Sequence, residues 1–110
     1  MSPPVIREVN FTVVYPSIEI IEPAEGEISY GGILHYSLKV ENITMNGSAI
    51  GGDNVEGEGH YHLYINDQLV GPFAELERRM TGLPEGQHTM RVELRNNNHS
   101  LIIPEANDSV

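Results

Sequence analysis

Apolar and polar residues alternate over several short stretches of this chain, which is the pattern of β-strands that bury one face. In residues 59–67 the alternation is strict: Tyr61, Leu63 and Ile65 share one face, while two histidines and Tyr64 share the other. The same pattern predicts strands at residues 5–15, 17–21, 33–40, 87–95 and 99–103, and a short strand at 43–45.

Turn-forming residues separate these stretches at intervals of about 8–12 residues. Only residues 72–82 have any helical character. Flanked by Pro72 and Gly82, they could form a short helix or an irregular strand, and we favour a strand. Residues 41–58 are rich in Gly and Asn and predict a long loop. About seven short strands predict an all-β chain with an immunoglobulin-like antiparallel β-sandwich.

The chain of 110 residues is long enough for one domain. We expect the β-sandwich to span residues 17–110, after an N-terminal extension of residues 1–16 that contains the first alternating stretch. Six basic and 16 acidic residues give a net charge of −10, which argues against nucleic acid as a partner. The absence of cysteine excludes thiolate metal sites and disulfides, and no apolar run is long enough for membrane insertion.

His60 and His62 predict a metal site. On a strand their side chains lie on the same face, roughly 6.5–7 Å apart. In the expected sandwich, their strand pairs with residues 87–95, so that the following turn brings His99 close. His88 begins that neighbouring strand and should lie toward the other end, which makes it a less favoured fourth member. The alternative is a pair of solvated histidines on an outer sheet face.

Three imidazoles without a thiolate suit copper(II) or zinc(II) as the bound metal ion. Glu56 and Glu58 are near enough in sequence to accept hydrogen bonds from the imidazole N–H groups. Met90 could serve copper(I), but its position in the alternation favours the core. His35 falls on the polar face of its strand and is expected to be solvated.

Asn-x-Ser/Thr sequences occur five times, at Asn10, Asn42, Asn46, Asn98 and Asn107. About one would be expected by chance from 9 Asn and 11 Ser and Thr among 110 residues. The excess favours an extracellular, cell-surface or periplasmic protein that carries glycans, although Asn, Ser and Thr also gather in turns. Because no secretory apolar segment follows Met1, export would mean that the sequence is a mature form.

The run Gly59-His60-Tyr61-His62-Leu63, the run Gly86-Gln87-His88-Thr89-Met90 and the pair Asn98-His99 resemble a poorly characterised family of small exported prokaryotic domains. The resemblance covers about residues 20–110. It implies an exported β-sandwich in which His60, His62, His88 and His99 belong together, and it implies no known reaction. The His-x-His strand is also similar to the copper strand of copper/zinc superoxide dismutase, but the other ligands and the disulfide of that enzyme are missing here.

Members of the resembled family continue into a final strand, whereas this sequence ends at Val110. We therefore expect the alternating stretch at 5–15 to fill the gap, within one molecule or between molecules. Filling between molecules would give self-association in a strand-donating polymer.

Two functions are compatible with these features. The first is a non-enzymatic metal carrier, store or sensor outside the cell, with copper favoured over zinc. The second is a glycosylated structural subunit of a surface layer or filament. An enzyme is not expected, because no nucleophile–base pair, phosphate-binding glycine loop or paired-carboxylate cleft is recognisable in the sequence.

Overall fold

The computed structural model describes residues 5–102 and 104–110. Within them, one 3-10 turn at Gly47–Ala49 accompanies eight strands. The strands are β1 (Ser17–Glu22), β2 (Leu34–Glu41), β3 (Thr44–Met45), β4 (Glu58–Ile65), β5 (Gln68–Phe73), β6 (Glu77–Met80), β7 (Met90–Arg95) and β8 (Asn107–Ser109). The all-β class predicted from the alternation is confirmed. No helix in the described ranges is long and apolar enough to cross a membrane.

The strands form two sheets. The smaller sheet has the order β1-β2-β6, and both of its pairings are antiparallel. In the larger sheet, β4 lies beside β7, and β8 follows β7 on the outside. The other side of β4 is shared by β5, which is antiparallel, and by the two residues of β3, which are parallel.

The core lies between the sheets and consists of the residues that the alternation places inward. Tyr61 and Leu63 of β4 meet Val92 and Leu94 of β7 there, and all four side chains are fully buried. Tyr36 of β2 reaches them from the smaller sheet, with its hydroxyl 2.8 Å from that of Tyr61. Each hydroxyl therefore has a partner inside an otherwise apolar layer. Met90 is also buried in this core, as the sequence predicted.

The register between β4 and β7 decides what faces outward. His60 pairs with Arg95, His62 with Glu93 and Ile65 with Met90. The predicted antiparallel neighbours are therefore confirmed. A two-residue turn of Asn66 and Asp67, both with positive φ, then leads from β4 into β5, as expected for a tight hairpin.

Besides residues 5–15, two predicted strands differ from those observed. Residues 72–82 contribute to two strands, the end of β5 and all of β6, because the chain crosses between the sheets at residues 74–76. In residues 99–103, the described part forms a single bridge between Leu101 and Arg95; residue 103 lies outside the described residues. On the side of β7 away from β4, the paired strand is therefore not residues 99–103 but β8, which follows Pro104.

Residues 5–15, here called the N-terminal segment, form no strand. The segment therefore does not complete either sheet of its own molecule. Its one described side-chain tie to the sandwich is a hydrogen bond of 3.0 Å, donated by Asn42 Nδ2 to the carbonyl oxygen of Tyr15. The molecule measures 81 Å along its longest axis, and its radius of gyration is 19.0 Å, compared with about 13 Å for a compact chain of this length.

Candidate metal centre

The outer face of β4 carries His60 and His62, and both rings are buried. His60 is fully buried and His62 is 8% exposed. The centroids of the two rings are 5.1 Å apart. The alternative of two solvated histidines on an open sheet face is therefore wrong. A closed environment around two imidazoles requires other elements to cover this end of β4.

The turn after β7 supplies the third imidazole. His99 follows Asn96-Asn97-Asn98 and has a φ of +71°, a left-handed conformation that a tight turn requires. Its backbone N–H donates to the carbonyl of Asn96 at 2.9 Å. Since β7 runs antiparallel to β4, this turn lies beside the first residues of β4, and the side chain of His99 reaches over them.

The long loop between β3 and β4 holds that turn in place. Gly51 donates its N–H to the carbonyl of Asn97 at 2.6 Å, and Asn97 Nδ2 donates to the carbonyl of Asp53 at 3.0 Å. The backbone N–H of Asn98 donates to Asn54 Oδ1 at 3.0 Å. The Gly- and Asn-rich loop thus binds the turn that carries His99, through backbone groups of Gly51 and Asp53 and the side chain of Asn54.

Three ring nitrogens converge. Nδ1 of His99 lies 3.2 Å from Nε2 of His60 and 3.1 Å from Nε2 of His62. One nitrogen from each ring lies within 4.8 Å of the others, as required of a group that could hold a metal ion. The predicted cluster of His60, His62 and His99 is confirmed as a spatial group.

Hydrogen bonds alone explain this arrangement poorly. Each imidazole nitrogen has either one hydrogen or one lone pair in the ring plane, so Nδ1 of His99 cannot make two good hydrogen bonds at once. Nitrogens on one zinc ion, at about 2.0–2.1 Å from it in a tetrahedron, lie roughly 3.3 Å apart. The two separations measured from His99 Nδ1, 3.2 and 3.1 Å, are close to this value, and the three nitrogens all lie within 4.8 Å of one another. The geometry fits three lone pairs that share one cation.

The surroundings keep two of these rings neutral. The pKa of His60 is lowered to about 4, mainly by burial and then by the nearby His62, His99 and Arg95. The pKa of His62 is also lowered to about 4, again mainly by burial and then by Arg95 and His99. At neutral pH both rings are therefore unprotonated and have a lone pair available for a metal ion.

Arg95 brings a positive charge to the edge of the cluster. Its guanidinium donates to Glu93 Oε2 at 2.6 Å, to the Tyr64 hydroxyl at 3.2 Å and to the carbonyl of His99 at 3.3 Å. Glu93 is buried and also pairs with Arg91. The carboxylate offsets part of the arginine charge beside a site that would receive a cation.

Glu56 and Glu58 do not have the predicted role of acceptors for the imidazoles. Glu58 Oε1 accepts instead from Asn46 Nδ2 at 3.0 Å and from Asn97 Nδ2 at 3.5 Å, and Glu56 is exposed. Nδ1 of His60 is buried and has no hydrogen-bond partner among the described residues. Glu58 thus supports the loop and the turn around the cluster rather than the rings themselves.

His88 lies apart from the cluster. Its Nδ1 accepts from Asn66 Nδ2 at 2.9 Å, and its Nε2 donates to the carbonyl of Pro84 at 2.8 Å. Both ring nitrogens are therefore occupied, at the end of β4 that the sequence predicted for this residue. The family resemblance implied that His88 belongs with the other three histidines. The structure does not place it with them. His35 is exposed, as predicted.

The five candidate glycosylation sites differ in accessibility. Asn10, Asn98 and Asn107 are exposed. Asn42 is exposed as well, but its amide donates to Tyr15. Asn46 is half-buried and its amide donates to Glu58, so that a glycan on Asn46 would remove a contact of the loop that supports the cluster.

Several residues around the cluster were missed by sequence reasoning. Arg95 is not one of them, because the predicted pairing of the two strands already places it near His60 and His62, and the structure confirms this. Glu93, which pairs with His62, could have been found from the same pairing. The contacts of Asn97 and Gly51 depend on how a long loop folds against the turn, which the alternation of apolar and polar residues does not predict.

No family model, curated protein or solved structure matches this chain. The class of protein is therefore defined by the fold and the site alone. It is an all-β protein of two sheets with a three-histidine cluster that could hold a metal ion; His60 and His62 are buried in it and His99 is exposed.

Gly59 makes the close approach of β4 to β7 feasible. A Cβ at this position would collide with the carbonyl oxygen of Arg95 and would lie 3.0 Å from Cδ1 of Ile43. We expect Gly59→Ala to lower the free energy of unfolding by about 1–3 kcal/mol, as overpacking typically does, when measured by urea denaturation. Gly47→Ala is the control, since its Cβ would meet only Ala74 Cβ at 3.4 Å. Equal stability of the two variants would contradict the close approach.

Proposed function

We propose that this protein is an exported or cell-surface, non-enzymatic domain that binds copper(II), or next zinc(II), through His60, His62 and His99. It would act as a metal carrier, store or sensor, on an immunoglobulin-like β-sandwich. The excess of Asn-x-Ser/Thr sequences and the resemblance to a family of exported domains support the location outside the cell.

One observation carries the proposal. Nδ1 of His99 lies within 3.2 Å of a nitrogen of each of the other two rings, and hydrogen bonding can satisfy only one of these contacts well. Two of the three imidazoles are buried, and buried polar groups are expensive to bring together without a partner that uses their lone pairs. A single metal ion would use all three.

The donor set supports copper or zinc in particular. Imidazole nitrogens are the usual protein ligands of both metals, whereas calcium and magnesium prefer oxygen ligands. His99 is exposed while His60 and His62 are buried. An ion held there would be accessible from one side, with room for water or a ligand from a partner protein. Such access suits a protein that receives and releases its metal ion.

Titration of the purified protein with copper(II) and with zinc(II), followed by calorimetry and native mass spectrometry, tests the proposal. We expect one ion per chain with micromolar or tighter affinity, and tighter binding of copper(II), as the usual order of divalent metals predicts. Calcium should give no binding heat. A protein that binds neither copper nor zinc would rule out the metal function.

A second candidate function is favoured by the N-terminal segment. Its apolar side chains are exposed although the segment alternates like a strand. This is expected of a structural subunit that donates a strand to its neighbour in a surface layer or filament. Glycans at the exposed asparagines would suit such a subunit.

A further inference from the structure

The N-terminal segment exposes an unusual amount of apolar surface. Its seven large apolar side chains are between 59% and 88% exposed; they are Val5, Ile6, Val9, Phe11, Val13, Val14 and Tyr15. Val9, Phe11 and Val13 would share one face if the segment were extended. A soluble protein rarely leaves a continuous apolar stretch of this kind unless something covers it.

A second uncovered apolar surface lies at the other end of the sandwich. Here an open groove of about 880 Å³ separates the loop of residues 23–33 from the loop of residues 83–89. Core residues form its floor, namely Leu34, Ile65, Met90 and Val110. Ile28 and Tyr30 stand on its wall, 74% and 83% exposed. We call this surface the end groove.

The segment and the end groove point in opposite directions. β2 begins at the end groove with Leu34 and finishes at Glu41, which pairs with Ser17 of β1. The N-terminal segment therefore leaves the sandwich beyond Glu41, where Asn42 ties down Tyr15. Eight residues of β2 separate this point from the groove. An extended segment thus projects away from its own groove.

We propose that the N-terminal segment of one copy occupies the end groove of a second copy, with Val9, Phe11 and Val13 facing its floor. Since donor and acceptor surfaces differ and lie at opposite ends, the contact is heterologous and continues from copy to copy. The product is an open head-to-tail chain. This inference is independent of the metal centre, and it gives the second candidate function a specific contact.

Charge favours a second copy as the occupant. The protein has six basic residues in all, and Arg7 of the segment is one of them. The lining of the end groove carries Glu25, Glu27 and Glu85. When Phe11 enters the groove, Arg7 comes near this acidic rim. In an extended segment Arg7 shares the face of Val9, Phe11 and Val13, while Glu8 lies on the opposite face, so the face that enters the groove carries the positive charge.

Two single variants test the contact from both sides. Phe11→Asp removes the donor face, and Ile28→Asp blocks the acceptor groove; both positions are exposed, so neither substitution should unfold the sandwich. Size-exclusion chromatography with light scattering, with EDTA present to exclude metal bridging, should show chains for the native protein. Each variant alone should be a monomer. An equimolar mixture of the two should give a one-to-one heterodimer, because only one donor and one acceptor remain functional.

Val55→Asp is the matched control, since Val55 is 51% exposed and lies in neither surface; this variant should assemble like the native protein. Three results would overturn the proposal: a monomeric native protein, chains that persist in Ile28→Asp, or a mixture that stays monomeric. A native monomer whose hydrodynamic radius grows on Phe11→Asp substitution would show that the segment occupies the groove of its own molecule instead. None of these results depends on whether copper binds.

Discussion

Replacing His62 by alanine is expected to abolish one-to-one binding of copper(II) while the β-sandwich stays folded. His62 Nε2 is 3.1 Å from Nδ1 of His99 and supplies one of the three nitrogens that converge in the described part of the chain. Losing a residue that only hydrogen-bonds to a metal ligand lowers metal affinity by about 10–100-fold. Losing a ligand itself should therefore lower the copper affinity by more than about 100-fold. Calorimetric titration of the variant measures this directly.

The fold should survive because the His62 ring lies on the outer face of β4, away from the core between the sheets. His35→Ala is the matched control: His35 is exposed on β2 of the other sheet and should leave binding unchanged. His88→Ala should also keep the native stoichiometry. If His62→Ala bound copper one-to-one with native affinity, the assignment of the three-histidine centre would be wrong.

The metal-free protein is expected to lose stability on mild acidification. His60 and His62 have pKa values lowered to about 4 by burial and by neighbouring positive groups. In the unfolded chain their pKa is about 6.5. Between these values the unfolded state binds protons that the folded state does not, so the free energy of unfolding falls as the pH decreases from about 6.5 toward about 4. Above pH 6.5 the effect is absent.

The expected loss is about 2 kcal/mol for each of the two histidines by pH 5. Urea denaturation between pH 7.5 and 5, with a chelator present, measures it before most carboxylates titrate. His62→Ala should show a shallower dependence, because one of the two groups is gone, and His35→Ala should keep the full dependence. A His62→Ala variant with the native slope would contradict burial of this ring as the cause.

Strand alternation was sufficient to predict the core and the position of the cluster. The parity of residues 59–67 puts Tyr61 and Leu63 inside and the two histidines outside, and the structure has both as predicted. His99 could be added because an antiparallel neighbour must return its turn to the start of β4. These are consequences of a period of two and of antiparallel pairing, which local sequence determines.

Burial of the histidines could not be predicted in this way. His60 is covered because a long irregular loop binds the turn of residues 96–99 through the contacts of Gly51, Asn97 and Asn98. Such contacts join residues more than 40 positions apart, and no local pattern encodes them. The same limit explains Glu58, which is near His60 in sequence but whose carboxylate contacts asparagines.

In the N-terminal segment, alternation predicted a strand that the structure does not contain. Its alternation is as clear as that of β1 or β2, yet it forms no strand in the described structure. Alternation reports that a segment can bury one face in a sheet. It does not report whether the sheet belongs to the same chain.

The three histidines have one more consequence for a chain without cysteine. His60 and His99 are 39 positions apart, on the two central strands of the larger sheet or directly after them. A metal ion held by both would link these strands as a disulfide does, but through a bond that chelation or acid can undo. Such a staple would favour the folded state in proportion to metal availability. The protein's resistance to unfolding would then report the metal content of its surroundings.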